Sequence, residues 1–179
     1  MYQLPPEYPR DPFEAFAFLK SRETLQDEDF RVIALVESYG ELFYQILARG
    51  LPNDEARGLL ARNAAEERRH QEDRDQEADA EERGHAHRML KALRLRTGEV
   101  FELPPIEENP FHALAPAEIP YSDELVGLLQ QGEIDGDLSY QKWADGEPNP
   151  EIAQLLRQNG AEELRHCERV KQVCALLAA

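Results

Sequence analysis

Cysteine is scarce in this chain, basic charge is in the minority, and no long apolar run is present. Only two cysteines occur among 179 residues, Cys167 and Cys174. They stand seven apart on one expected helix, a spacing that suits two buried thiols better than an intramolecular disulfide. Two reduced thiols are the expectation, and with them a reducing, cytoplasmic compartment. Lysine and arginine number 20 against 36 aspartates and glutamates, a net charge of −16. That balance argues against a nucleic-acid partner and for a solvated acidic surface. No segment approaches the ~18 apolar residues of a membrane span. The opening MYQLPPEYPRDPFEAF has neither the basic nor the apolar region of a signal peptide. No alternating strand pattern stands out anywhere.

What is present is a duplication. Residues 37–70 read ESYGELFYQILARGLPNDEARGLLARNAAEERRH, and residues 133–166 read EIDGDLSYQKWADGEPNPEIAQLLRQNGAEELRH. Superimposed without a gap at an offset of 96, the two stretches share 18 of 34 residues. The shared set includes Glu37/Glu133, Gly40/Gly136, Tyr44/Tyr140, Asn63/Asn159, Glu67/Glu163 and His70/His166.

Each copy reads as a helical hairpin. Val32, Ile33, Val36, Phe43, Tyr44 and Leu47 recur at helical spacing, predicting a helix over 24–49 with Glu37 in its inward stripe. Gly50 and Pro52 stop it, and Asn53 caps the next helix ahead of Asp54 and Glu55. In the second copy Gly146 and Pro148 are the stop and Asn149-Pro150-Glu151 the start. Ser122 caps the third helix, and the fourth runs from 150 to the end. The stretch 99–120 holds five prolines and is expected to be a crossover, while Asp11-Pro12 starts a short N-terminal helix. The chain is thus expected to be one domain: an extension over 1–23, a first hairpin over 24–98, a crossover over 99–121 and a second hairpin over 122–179.

Helical arithmetic then places the glutamates. Glu37 lies 12 residues before Arg49 and Glu67 lies 13 after Asp54, so both sit ~18–20 Å from the hairpin turn. Glu133 and Glu163 match by the same count. Residues 71–85 interrupt the first hairpin as an inserted block and contain a competing E-x-x-H, Glu82 to His85. The ungapped repeat selects His70, because along a continuous helix Glu82 would stand ~4 turns beyond the glutamate level.

Six side chains therefore converge: Glu37, Glu67, His70, Glu133, Glu163 and His166. Residues three apart share a helix face, and one glutamate from each of two helices plus Glu-x-x-His from each of two others is the ligand set of two-metal carboxylate bundles. Four buried carboxylates repel one another, and two divalent ions would bring +4 against −4. Oxygen ligands with one imidazole per ion suit two Fe ions, with Mn as an alternative. Glu66 and Arg69, repeated as Glu162 and Arg165, are expected to pair along an outer face, and Glu41 is expected on a solvated one.

On these residues the chain resembles the ferritin-like superfamily of di-iron carboxylate proteins, its rubrerythrin-like branch more than true ferritin. The resemblance spans residues 24–98 and 122–177. It implies an all-α antiparallel four-helix bundle with a long crossover, and reactivity towards O₂ or H₂O₂ with a reductant that the sequence does not name. It also implies that Tyr44 and Tyr140, seven residues after the first glutamate of each half, act beside the metals. Bundles of this kind often pair, which admits a homodimer. The chain departs from rubrerythrins in lacking CxxC pairs and in having Gly40 and Gly136 where a further carboxylate is usual. Those glycines either leave room beside the metals or let helices approach. The expected function is a non-haem di-iron oxidoreductase of ferroxidase, peroxidase or oxidase type. An iron-handling protein without turnover and a metal-stapled interaction module are the alternatives.

Overall fold

The computed structural model describes residues 2–68 and 84–178, and among them every regular element is helical. Helix α1 spans Pro12–Lys20, α2 Asp27–Arg49, α3 Asp54–Arg68, α4 His85–Thr97, α5 Asp123–Gly146 and α6 Pro150–Ala178. Short-range chemistry sets most of their ends. Asp11 accepts from the Phe13 and Glu14 amides at 2.9 and 3.0 Å, and Pro12 supplies the first helical residue. Asn53 accepts from Glu55 and Ala56, Ser122 from Leu125, and Asn149 from Glu151. Gly98 ends α4 at φ 76°, a left-handed position that glycine takes without penalty. The expected start of α2 at residue 24 is replaced by Asp27, because the buried Asp29 carboxylate accepts from the Gln26 amide at 2.7 Å.

The helices pack as a bundle. α5 lies along α6, α2 contacts both α3 and α4, and α6 touches α3 and α4 in turn, while α1 covers part of α2. Phe30, Ile33, Leu35, Leu47, Leu60, Met89, Leu93, Trp143 and Ile152 fill the interior. Between α4 and α5 the chain forms two single 3₁₀ turns, Ile106–Glu108 and His112–Leu114. Asn109 fastens this crossover: its amide donates to the Leu35 carbonyl of α2 at 2.9 Å, and its oxygen accepts from Phe111, whose ring is fully buried. No described helix is long and apolar enough to cross a membrane.

Within the first hairpin, α3 is described to Arg68 and α4 begins at His85, after Gly84 in extended conformation. The end of α3 and the start of α4 stand at one height of the bundle, since Glu67 and His85 are neighbours.

Candidate metal centre

Glu37 of α2, Glu67 of α3, Glu133 of α5 and Glu163 of α6 meet in the interior, each less than a tenth exposed. Two imidazoles complete the group. His166 comes from α6, and the other is His85, the first residue of α4. His85 Nδ1 lies 3.6 Å from Glu37, 3.3 Å from Glu67 and 3.4 Å from Glu163. His166 Nδ1 lies 3.2 Å from Glu67, 3.6 Å from Glu133 and 3.7 Å from Glu163. The imidazole rings stack with centroids 5.2 Å apart.

Two overlapping groups could each hold an ion, Glu37/Glu67/His85 and Glu67/Glu163/His166, with ligand atoms within 4.8 Å of one another. Glu67 turns Oε2 to His85 and Oε1 to His166, and Glu163 likewise turns Oε1 to His85 and Oε2 to His166. Both carboxylates therefore span the two positions. Donors ~2.1 Å from a common ion and about 90–110° apart are ~3.0–3.4 Å from each other, close to the spacing seen. Glu67 Oε2, His85 Nδ1 and His166 Nδ1 are buried without a hydrogen bond. Such orphaned groups are costly unless something else satisfies them, and here all three converge.

The surroundings repeat with the duplication. Tyr44 donates its phenol to Glu133, and Tyr140 donates to Glu37, so each tyrosine holds the outer glutamate of the opposite half. On the far side of the imidazoles, His166 Nε2 lies 3.3 Å from Glu66 and His85 Nε2 lies 3.1 Å from Glu162. A carboxylate this close to each Nε2 favours the proton there, which leaves Nδ1 as the inward lone pair. Each carboxylate is neutralised by an arginine, Glu66 by Arg169 and Glu162 by Arg88. The same arginines reach Asn63 and Asn159. Each asparagine in turn donates to the carbonyl of the histidine across the bundle, Asn63 to His166 at 3.4 Å and Asn159 to His85 at 3.3 Å.

His85, of the competing E-x-x-H, takes part in the cluster, and the expected His70 lies outside the described residues. The arithmetic that disfavours His85 assumes one unbroken helix, whose rise would carry it away. A fresh helix starting at His85 resets the height instead. The arginines are absent from the sequence expectation, although a signal for them exists: His85 and Arg88 stand three apart, as do His166 and Arg169. Glu66 and Glu162, expected on an outer face with Arg69 and Arg165, instead face the histidines. Arg165 does reach Glu162, at 2.8 Å, and Arg69 lies outside the described residues. Glu41 is buried rather than solvated, and accepts from Gln45 at 2.6 Å.

The two glycines differ. A Cβ on Gly136 would come within 3.2 Å of the Glu163 side chain, whereas one on Gly40 would meet Glu67 at an ordinary 3.8 Å. Gly136→Ala is expected to weaken metal binding about tenfold by displacing Glu163. Gly40→Ala should leave it unchanged and gain ~1 kcal/mol of helix stability. Calorimetric metal titration and thermal unfolding of both variants check this.

Without metal the cluster is held by protons. Burial lifts the Glu163 carboxyl to about 8; the charges of Glu133 and Glu37 add to the lift, and His85 opposes it. Burial alone would lower both histidines, yet the surrounding carboxylates raise His85 and His166 well above their ordinary value. All three groups bind protons more tightly folded than unfolded, so their stabilisation is present at low pH and lost as pH rises. For Glu163 the window runs from ~4.3, the usual glutamate value, up to about 8. For the histidines it runs upward from ~6.5. Glu162 behaves oppositely: despite its burial, His85 and Arg88 hold it down at about 2, and its contribution disappears only in acid. In chelator, stability should therefore fall between pH 6 and 9 by about 1.4 kcal/mol per pH unit for each proton released, and the melting temperature with it. With excess Mn²⁺ the trend should reverse, because ions then replace the protons.

No family model matches the chain, and no curated protein or solved structure matches it.

Proposed function

We propose that this chain is a di-iron carboxylate oxidoreductase of the ferritin-like, rubrerythrin-like kind, an antiparallel bundle that reacts with O₂ or H₂O₂. The observation that carries the reading is the pair of three-ligand groups joined through Glu67, with Glu163 spanning both positions in the same way. In this reading Glu67 and Glu163 would serve both ions, Glu37 and Glu133 one each, and His85 and His166 would hold one apiece through Nδ1. Bound iron would supply one-electron redox steps and open positions for an oxygen species. The protein's own contribution is to hold those ligands. Tyr44 and Tyr140 orient Glu133 and Glu37 by hydrogen bonding, and Tyr140 keeps its proton because burial, followed by the charges of Glu37 and Glu163, raises it well above the ordinary tyrosine value. Glu66 and Glu162, clamped by Arg169 and Arg88, keep the imidazoles in the tautomer that offers Nδ1 inward. Four inner carboxylates are matched by two divalent ions, and two outer carboxylates by two arginines.

Anaerobic titration with Fe²⁺ tests the proposal. Two ions per chain are expected, followed on exposure to O₂ or H₂O₂ by a coloured product that can be re-reduced and cycled. Loading without any redox change would sink the enzyme and leave a metal that only staples the bundle.

A further inference from the structure

A cavity of about 860 Å³ opens against Glu67, within the size range of small-molecule sites. All of its lining residues fall between 38 and 107, and none comes from α5 or α6. Its roof is the crossover, which Asn109 and Phe111 fasten to the bundle. The duplication therefore does not extend to it. Ser38 and Glu41 line the cavity, while Ile134, the repeat counterpart of Ser38 at the offset of 96, is exposed. The cavity thus lies beside the carboxylate that both metal positions share, and the first hairpin and the crossover build it.

The chamber has distinct ends. At the inner end lies the Glu67 carboxylate, 3% exposed, with an oxygen that no hydrogen bond satisfies. Leu90 of α4 and Phe101, Leu103 and Ile106 of the crossover make the middle apolar. At the outer end α4 presents Lys91 and Arg94. Arg94 stands nine residues beyond His85, ~13 Å along the helix. Lys91 faces Glu151 at 3.6 Å, and Arg94 is exposed with no ion pair among the described residues. The acidic lining residues Glu41, Glu67, Glu102 and Glu107 come from α2, α3 and the crossover, so the cationic groups of the lining, Lys91 and Arg94, are all on α4.

We propose that this cavity binds an amphipathic monocarboxylate, with its carboxylate at Arg94 and its apolar chain running inward towards Glu67. The assignment names the substrate class of the two-metal centre and rests on that reading of the cluster. A guanidinium at the mouth suits a carboxylate through paired N–H donors, and the apolar middle contributes by excluding water from the chain.

Calorimetric titration of decanoate into the full chain loaded with Mn²⁺ tests it, with metal stoichiometry measured on the same samples. Saturable one-to-one binding is expected. Arg94→Glu should weaken it at least tenfold, and Ser38→Trp, which fills the inner end, should abolish it while two ions stay bound. Decylammonium should bind far more weakly. Absence of saturable decanoate binding to protein that holds two Mn²⁺ would overturn the cavity proposal and leave the metal reading intact. So would affinity indifferent to both substitutions, or equal affinity for decylammonium. If the ions fail to load, the metal reading falls. The same titration on metal-free chain then decides the cavity by the same variant pattern.

Discussion

Replacing Glu67 with alanine is expected to remove both metal ions at once, whereas replacing His70 removes neither. Glu67 belongs to both ligand groups, one oxygen directed to each histidine, so its loss opens both positions. Glu163→Ala should act the same way, since its carboxylate also spans them. His85→Ala strips one position of its only nitrogen donor among the described residues and should lower affinity there by about 100-fold or more, beyond what losing a supporting partner costs. His70→Ala should bind two ions with unchanged affinity. The measurement is Fe²⁺ or Mn²⁺ stoichiometry by equilibrium dialysis. Melting in chelator separates this from misfolding: Glu67→Ala removes a carboxylate that faces both imidazoles, so the metal-free variant should melt earlier than the parent yet still in one cooperative transition. Two ions retained in Glu67→Ala, or lost in His70→Ala, would refute the assignment.

The second large effect is expected from Arg88, far less exposed than a surface arginine and joined to both Glu162 and Asn159. Arg88→Met leaves a mostly buried carboxylate without its main counter-charge and a buried amide oxygen without a donor. Removing one partner of such a pair costs about 3–5 kcal/mol, a drop of roughly 10 °C in melting temperature for a chain of this size. Metal affinity should fall too, about 10–100-fold, because Glu162 then no longer holds His85 firmly. Lysine should not rescue: Asn159 is reached by Nε and Glu162 by Nη2, two directions that a single ammonium cannot supply. Arg169→Met should behave alike through Glu66 and Asn63. A variant with parental stability and metal binding would show that the outer ion pairs are ornament.

Much of the arrangement is legible in the sequence because it is written in short-range signals. Caps at Asp11, Asn53, Ser122 and Asn149 act over three residues and need no tertiary partner. Four glutamates and His166 can be found because a duplicated spacing of whole helical turns brings them level. The two tyrosines occupy the same repeat, and their phenols do reach the outer glutamates, each in the opposite half.

The sequence by itself determined the helices, the duplication and the depth at which the glutamates gather. Tertiary structure alone brought His85 to them. Closing a loop fifteen residues longer costs only a fraction of a kcal/mol, so His70 and His85 were nearly equal candidates on chain statistics. Burial of Ala86, Met89, Ala92 and Leu93 as α4 docks on α2 and α6 brings His85 into the interior. The arginine clamps and the cavity beside Glu67 have the same origin, since each is made by side chains from helices and a crossover that meet only once the bundle has closed.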